Sequence, residues 1–193
     1  MQNLFKFDKL NFITAGMPLR TGKGSYPQAF NVLKEMNLDG MELEFVHGVR
    51  MSDTNRDFVK NMSKDFIITA HGPFYINLNS QEEEKIDASL QRIIDTASVA
   101  SEAGAFSITY HAAFYMGKDK ETVYNQVKTQ TRRIIEILEN ENINVWIRPE
   151  TTGKATQWGD IDEIINLSKE FEQVLPCVDF SHLHARYNGI VNT

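Results

Sequence analysis

The stretch FIITAHGPFYINLNSQEEEKIDASLQRIIDTASVASEAGAFSITYH, residues 66–111, decides the fold. It opens on the run Ile67-Ile68-Thr69-Ala70 and closes on Ile108-Thr109-Tyr110, and each run is followed at once by a histidine, His71 or His111. Between them Ile86, Leu90, Ile93, Ile94 and Ala97 recur at i, i+4, i+7, i+8 and i+11, which predicts one apolar stripe on a helix over 82–103. Ser80 with Glu83 offers a capping box at its start, and Gly104 a left-handed residue at its end. Strand, helix, strand in this order implies a parallel pair joined by a right-handed crossover.

The pattern repeats outward in both directions. Strands are predicted over 11–15, 40–45, 66–70, 105–110, 143–149 and 174–179. Helices are predicted over 27–36, 55–64 and 119–140, the last with Val123, Val127, Ile134 and Leu138 on one face, and a further helix is capped by Asp160 with Glu163. Units of about 30 to 40 residues follow one another with no Ser- or Pro-rich linker, so residues 1–193 read as a single α/β domain. Such a sheet is either open and doubly wound or closed into a barrel. No Gly-rich nucleotide loop follows any strand, which turns the choice toward a (β/α)8 TIM barrel. A complete barrel takes about 250 residues, so the expectation here is a partial one, holding only the first six β/α units.

Composition sets the outer limits. The chain has 193 residues, 20 Lys+Arg against 26 Asp+Glu, a net charge of −6, and is 41% hydrophobic, so it can bury a core and is neither disordered nor fibrous. Its single cysteine, Cys177, excludes a disulfide framework or a Cys-x-x-Cys zinc ribbon. No apolar run is long enough for a bilayer, and Met1 to Leu10 lacks the build of a signal peptide, so no membrane partner and a cytoplasmic location are expected. The acid surplus argues against nucleic-acid binding by bulk electrostatics; any such binding needs a local basic or metal-lined patch.

Chemistry-bearing residues fall at strand ends. His71, His111, Glu150 and Asp179 each terminate one of four successive strands, and His182 follows three residues after Asp179. In parallel α/β proteins these carboxyl ends converge on one face. Two imidazoles with a carboxylate suit zinc, and a carboxylate shared by two ions suits hydrolysis. Any one of these residues alone has a plainer explanation as a hydrogen-bonded strand-end residue; their coincidence points to a metal site. His47 reads as a loop histidine and His184 is left open. Glu42 and Glu44, on the second strand, are each expected to be paired or near an ion, a Lys or Arg being preferred, and Arg148 is a candidate partner or a group to reach a phosphate.

Three segments resemble the endonuclease IV apurinic/apyrimidinic endonucleases, within the xylose isomerase-like TIM barrels. They are His71-Gly72-Pro73-Phe74-Tyr75-Ile76-Asn77-Leu78, Glu150-Thr151-Thr152-Gly153 with Gly159, and Val178-Asp179-Phe180-Ser181-His182. The resemblance implies that His71, His111 and Glu150 bind a first zinc, that Glu150, also the catalytic residue, shares a second with Asp179, and that His182 contributes to a third. Up to three zinc ions, or manganese, would then serve hydrolysis of the phosphodiester 5′ of an abasic site in DNA. Arg50, Phe74 and Tyr75 occupy the places of the family's DNA-contacting side chains. The plain alternative for these three is a solvent-facing arginine beside two core aromatics.

The glutamate segment departs from the family with Lys154. The family's remaining ligands come from its seventh and eighth units, so the first site is complete in residues 1–193 and the others are not. The expectation is therefore a truncated nuclease, with self-association through an open barrel edge. Two alternatives stand beside it: a sugar isomerase or epimerase on the same barrel, and a non-catalytic metal-binding remnant.

Overall fold

In the computed structural model, which describes residues 7–190, strands and helices alternate along the chain. They run β1 (Ile13–Thr14), α1 (Tyr26–Glu35), β2 (Gly40–Glu44), α2 (Asp53–Met62), β3 (Ile67–His71), α3 (Glu83–Glu102), β4 (Ser107–Tyr110), β5 (Ala113–Phe114), α4 (Lys120–Asn140), β6 (Trp146–Pro149), β7 (Gln157–Trp158), α5 (Ile161–Glu170) and α6 (Phe180–Arg186). The main sheet has the order β1-β2-β3-β4-β6, and every pairing in it is parallel. Most of the segment Met1–Leu10 lies outside the described residues.

Two predicted strands are shorter than their sequence suggests. Over 174–179 there are only the bridges Ile147 to Val174 and Glu150 to Cys177, because Pro176 between them has no N–H to give a ladder. Over 11–15 only Ile13 and Thr14 pair, since the Phe12 amide donates to the Asp39 carboxylate at 2.8 Å instead of to a strand carbonyl. The predicted Ser80–Glu83 capping box is also absent. The first residue of α3 is Glu83, so Ser80 lies too far upstream, and its hydroxyl accepts from the Glu82 amide at 3.2 Å. Gly104 does end α3 in the left-handed region, at φ +80°. The box at α5 forms as predicted, with the Asp160 amide 2.9 Å from Glu163 Oε2.

Register then sorts the side chains. Glu42 lies beside Thr69, Glu44 beside His71, His71 beside Thr109, and Thr109 beside Arg148. Because strand side chains alternate with period two, residues two further along β4 and β6, His111 and Glu150, share the face of His71. The Glu150 to Cys177 bridge extends the same parity to Asp179. The opposite face carries Met41, Leu43, Ile68, Ala70, Ile108 and Ile147, all buried.

Helices cover that apolar face. Phe30 and Leu33 of α1, Val59 of α2, Ile86, Leu90, Ile93 and Ala97 of α3, and Val123, Val127, Ile134 and Leu138 of α4 join one core cluster with the outer strand rows. Each Val, Leu, Ile or Phe side chain so buried contributes about 1.5–3 kcal/mol. The polar residues are thereby left on the inner face, and those at the strand ends are brought together. No helix among the described residues is long and apolar enough to cross a membrane.

Candidate metal centre

Glu150 is the meeting point of the site. It is 7% exposed, and its amide donates to the Tyr110 carbonyl at 3.0 Å, which locks it to the end of β4. Its Oε2 lies 3.2 Å from His71 Nε2 and 3.5 Å from His111 Nε2. Its Oε1 lies 3.2 Å from His182 Nδ1, which is 3.6 Å from Asp179 Oδ2. Two groups of possible ligands result, His71 with His111 and Glu150, and Glu150 with Asp179 and His182, and within each the ligand atoms lie within 4.8 Å of one another. All five residues named from the sequence as ligands are brought together, with Glu150 common to both groups.

The surrounding backbone orients the rings. His71 Nδ1 lies 2.7 Å from the Gly72 carbonyl, to which it donates, and this turns Nε2 toward Glu150; His182 Nδ1 lies 2.8 Å from the Thr151 carbonyl as well as facing Glu150. His111 Nδ1 is buried without a hydrogen-bond partner among the described residues. Two imidazoles and a carboxylate, desolvated and short of partners, form a donor set that fits zinc. Burial disfavours the charged form of His71, but its hydrogen bonds to Glu150 and Gly72 outweigh this and push its pKa up to about 9. Burial holds His111 below the usual histidine value, against the attraction of Glu150. The two rings, with centroids 5.7 Å apart, are thus biased toward opposite protonation states.

Thr151 fixes the second group, a role with no signature in the sequence beyond its place after Glu150. Its hydroxyl accepts from the Asp179 amide at 2.8 Å and donates to the Asp179 carbonyl at 3.1 Å. Asp179 in turn caps α6, its Oδ1 accepting from the His182 amide at 2.8 Å. Arg186, at the end of α6, reaches back to the Lys154 carbonyl at 2.8 Å and the Gln157 carbonyl at 3.0 Å. Gly159 closes this loop at φ +127°, where a Cβ would come within 2.9 Å of the Glu150 carbonyl.

Glu42 corrects an expectation: it has no Lys or Arg partner among the described residues, and accepts instead from the Thr69 hydroxyl at 3.1 Å. Burial raises its pKa. The register explains this, since the inner face beside it carries Thr69, and Arg148 spends its guanidinium on the Pro176 carbonyl at 3.2–3.3 Å. His184 is exposed and belongs to neither ligand group. Phe74 and Tyr75 are not core aromatics, being 54% and 70% exposed, and Arg50 is exposed on the loop after β2. Phe74 lies between His71, at 6.4 Å between ring centroids, and His47, at 6.0 Å.

A family model described as xylose isomerase-like TIM barrel matches residues 30–192. The chain belongs to the xylose isomerase-like TIM barrel family. Within that family it is 46% identical over 183 residues to an uncharacterized protein of Methanocaldococcus jannaschii, a match covering 95% of this chain and 66% of the relative. Endonuclease IV from Thermus thermophilus superposes with a TM-score of 0.70 at 15% identity, over 91% of this chain and 65% of that one. D-psicose 3-epimerase, solved in the presence of D-fructose, superposes with a TM-score of 0.72 at 16% identity, over 95% and 67%. These two likenesses are likenesses of fold. The xylose isomerase-like barrel seen here is partial, and spans about two thirds of the length of each of these three proteins.

Proposed function

We propose that this chain carries the metal centre of an endonuclease IV-type phosphodiesterase, acting on DNA 5′ of abasic sites. The observation that carries the proposal is the division of Glu150: one carboxylate oxygen faces His71 and His111, the other faces His182 and, beyond it, Asp179. A carboxylate with its two oxygens committed to two separate ligand groups suits a multi-ion site. His71, His111 and Glu150 would hold one zinc, Glu150 and Asp179 a second, and His182 would serve a third. Bound zinc supplies Lewis acidity, activating water near neutral pH and offsetting phosphate charge.

The residues of the chain do the positioning. The Gly72 and Thr151 carbonyls orient the His71 and His182 rings. Phe74, Tyr75 and Arg50, exposed on the loops after β3 and β2, would meet the bases and backbone of a duplex. In a chain of net charge −6, a polyanion is received through the metals and these rim groups and not through the overall field. A sugar epimerase on the same barrel would instead use acid and base groups reaching adjacent carbons of a bound ketose.

The test is nicking of a duplex that contains one abasic-site analogue, by zinc-loaded protein and by Glu150→Gln. Nicking that falls steeply with salt and disappears in Glu150→Gln is the expected result. Ketose epimerisation without nicking would replace this reading with the epimerase one.

A further inference from the structure

We propose that the groove beside Tyr75, headed by Arg92, is a nucleotide subsite that seats one sugar-phosphate unit of a DNA strand flanking the metal centre. The proposal rests on the nuclease reading for the identity of that strand. The groove has a volume of about 450 Å³ and lies between the loop after β3 and helix α3, with Phe114 of β5 contributing to its wall. That size is ordinary for a small-molecule site. Phe74 lines it and also lies near His71, with centroids 6.4 Å apart, so a single aromatic ring stands between the groove and the first ligand group.

Its charge is opposite to that of the molecule. The chain has 26 acidic residues and a net charge of −6, yet no carboxylate lines this groove, while Lys85 and Arg92 both do. Lys85 is engaged by Glu82 at 2.5 Å. Arg92 differs: among the described residues its guanidinium has no hydrogen bond or ion pair, although the residue is half-buried. The nearest candidate along the helix, Asp95, accepts from Gln91 at 2.8 Å. A partly desolvated guanidinium without an anion is unfavourable until one arrives, and its planar fork matches a phosphate. Tyr75, 70% exposed, and Phe114 supply flat surfaces against which a base or sugar can stack.

The experiment measures binding of a fluorescent single-stranded deoxyoligonucleotide to metal-free protein across a salt series, for the wild type, Arg92→Gln and Arg92→Lys. Arg92→Gln should weaken binding about tenfold and lower the slope of log affinity against log salt by about one phosphate contact, while Arg92→Lys keeps the slope. Thermal melting of each variant verifies that it is folded. An Arg92→Gln protein with wild-type affinity and slope overturns the subsite. Nicking is assayed separately on metal-loaded protein. If nicking is absent but binding still depends on Arg92, the nuclease reading fails and the subsite stands; if nicking is present and binding is indifferent to Arg92, the subsite alone fails.

Discussion

Glu42 shows how the inner face of the sheet constrains single residues. It sits on β2 beside Thr69, half-buried and without a Lys or Arg partner among the described residues, and burial holds its pKa above the usual carboxylate value against the attraction of His71. An acid whose folded pKa exceeds its unfolded one penalises the fold in its ionised form. The penalty is absent below the unfolded value, near about 4.3 for Glu, and is complete above the folded one. In metal-free protein, Glu42→Gln should therefore melt above the wild type at neutral pH, and the gap should close as the pH falls through the folded pKa of Glu42. Melting curves of both proteins between about pH 4.5 and 8 check this; a gap that widens toward acid contradicts it. At this scale the residue types at the candidate metal centre were legible, since His71, His111, Glu150 and Asp179 stand at strand ends. The partner of Glu42 was not, because it depends on which residue of the next strand lies alongside.

Between elements, the loops that carry the rim are braced by two side-chain amides, those of half-buried Asn77 and buried Asn79. Asn77 Oδ1 accepts from the Asn79 amide at 3.1 Å and from the Phe114 amide at 3.2 Å. Asn79, fully buried, donates to the Phe114 carbonyl at 2.8 Å and the Tyr115 carbonyl at 3.3 Å, and accepts from Lys118 Nζ at 3.1 Å. The loop after β3 is thus fastened to the loop after β4, which keeps Phe74 and Tyr75 displayed. Asn79→Ala leaves those groups unsatisfied and should cost about 1–3 kcal/mol, read as a lower midpoint in urea unfolding. A midpoint equal to the wild type's would show that the brace contributes nothing. Periodicity revealed α3 and α4 because a helix writes its buried face into the spacing of its own residues. It could not reveal β5 and β7, whose antiparallel pairing of Ala113 with Trp158 and Phe114 with Gln157 joins segments far apart in the chain. It also overstated the strand over 174–179, where Pro176 limits the pairing to bridges.

For the whole molecule, ligands drawn from β3, β4, β6 and the start of α6 link metal binding to folding. The five side chains approach one another only in the folded chain, so an ion they bind stabilises the native state by mass action. Zinc at about a hundred times its dissociation constant contributes about 2.7 kcal/mol, which for a chain of this size raises the melting temperature by roughly 5–10 °C. Chelator should reverse the shift, and Glu150→Gln should abolish it. Identical melting of the wild type with zinc and with chelator would show that these groups hold no ion.

By itself the sequence determined the succession of β/α units, the helix faces and the set of strand-end histidines and carboxylates, because each is written in spacings of a few residues. Only the tertiary structure decided that His71 and Glu150, 79 positions apart, lie 3.2 Å from each other. It alone showed that Glu150 turns one oxygen to each ligand group and that Arg92 is left without a partner among the described residues. Those outcomes depend on strand register and on how loops from separate units pack, and no local pattern of residues encodes them.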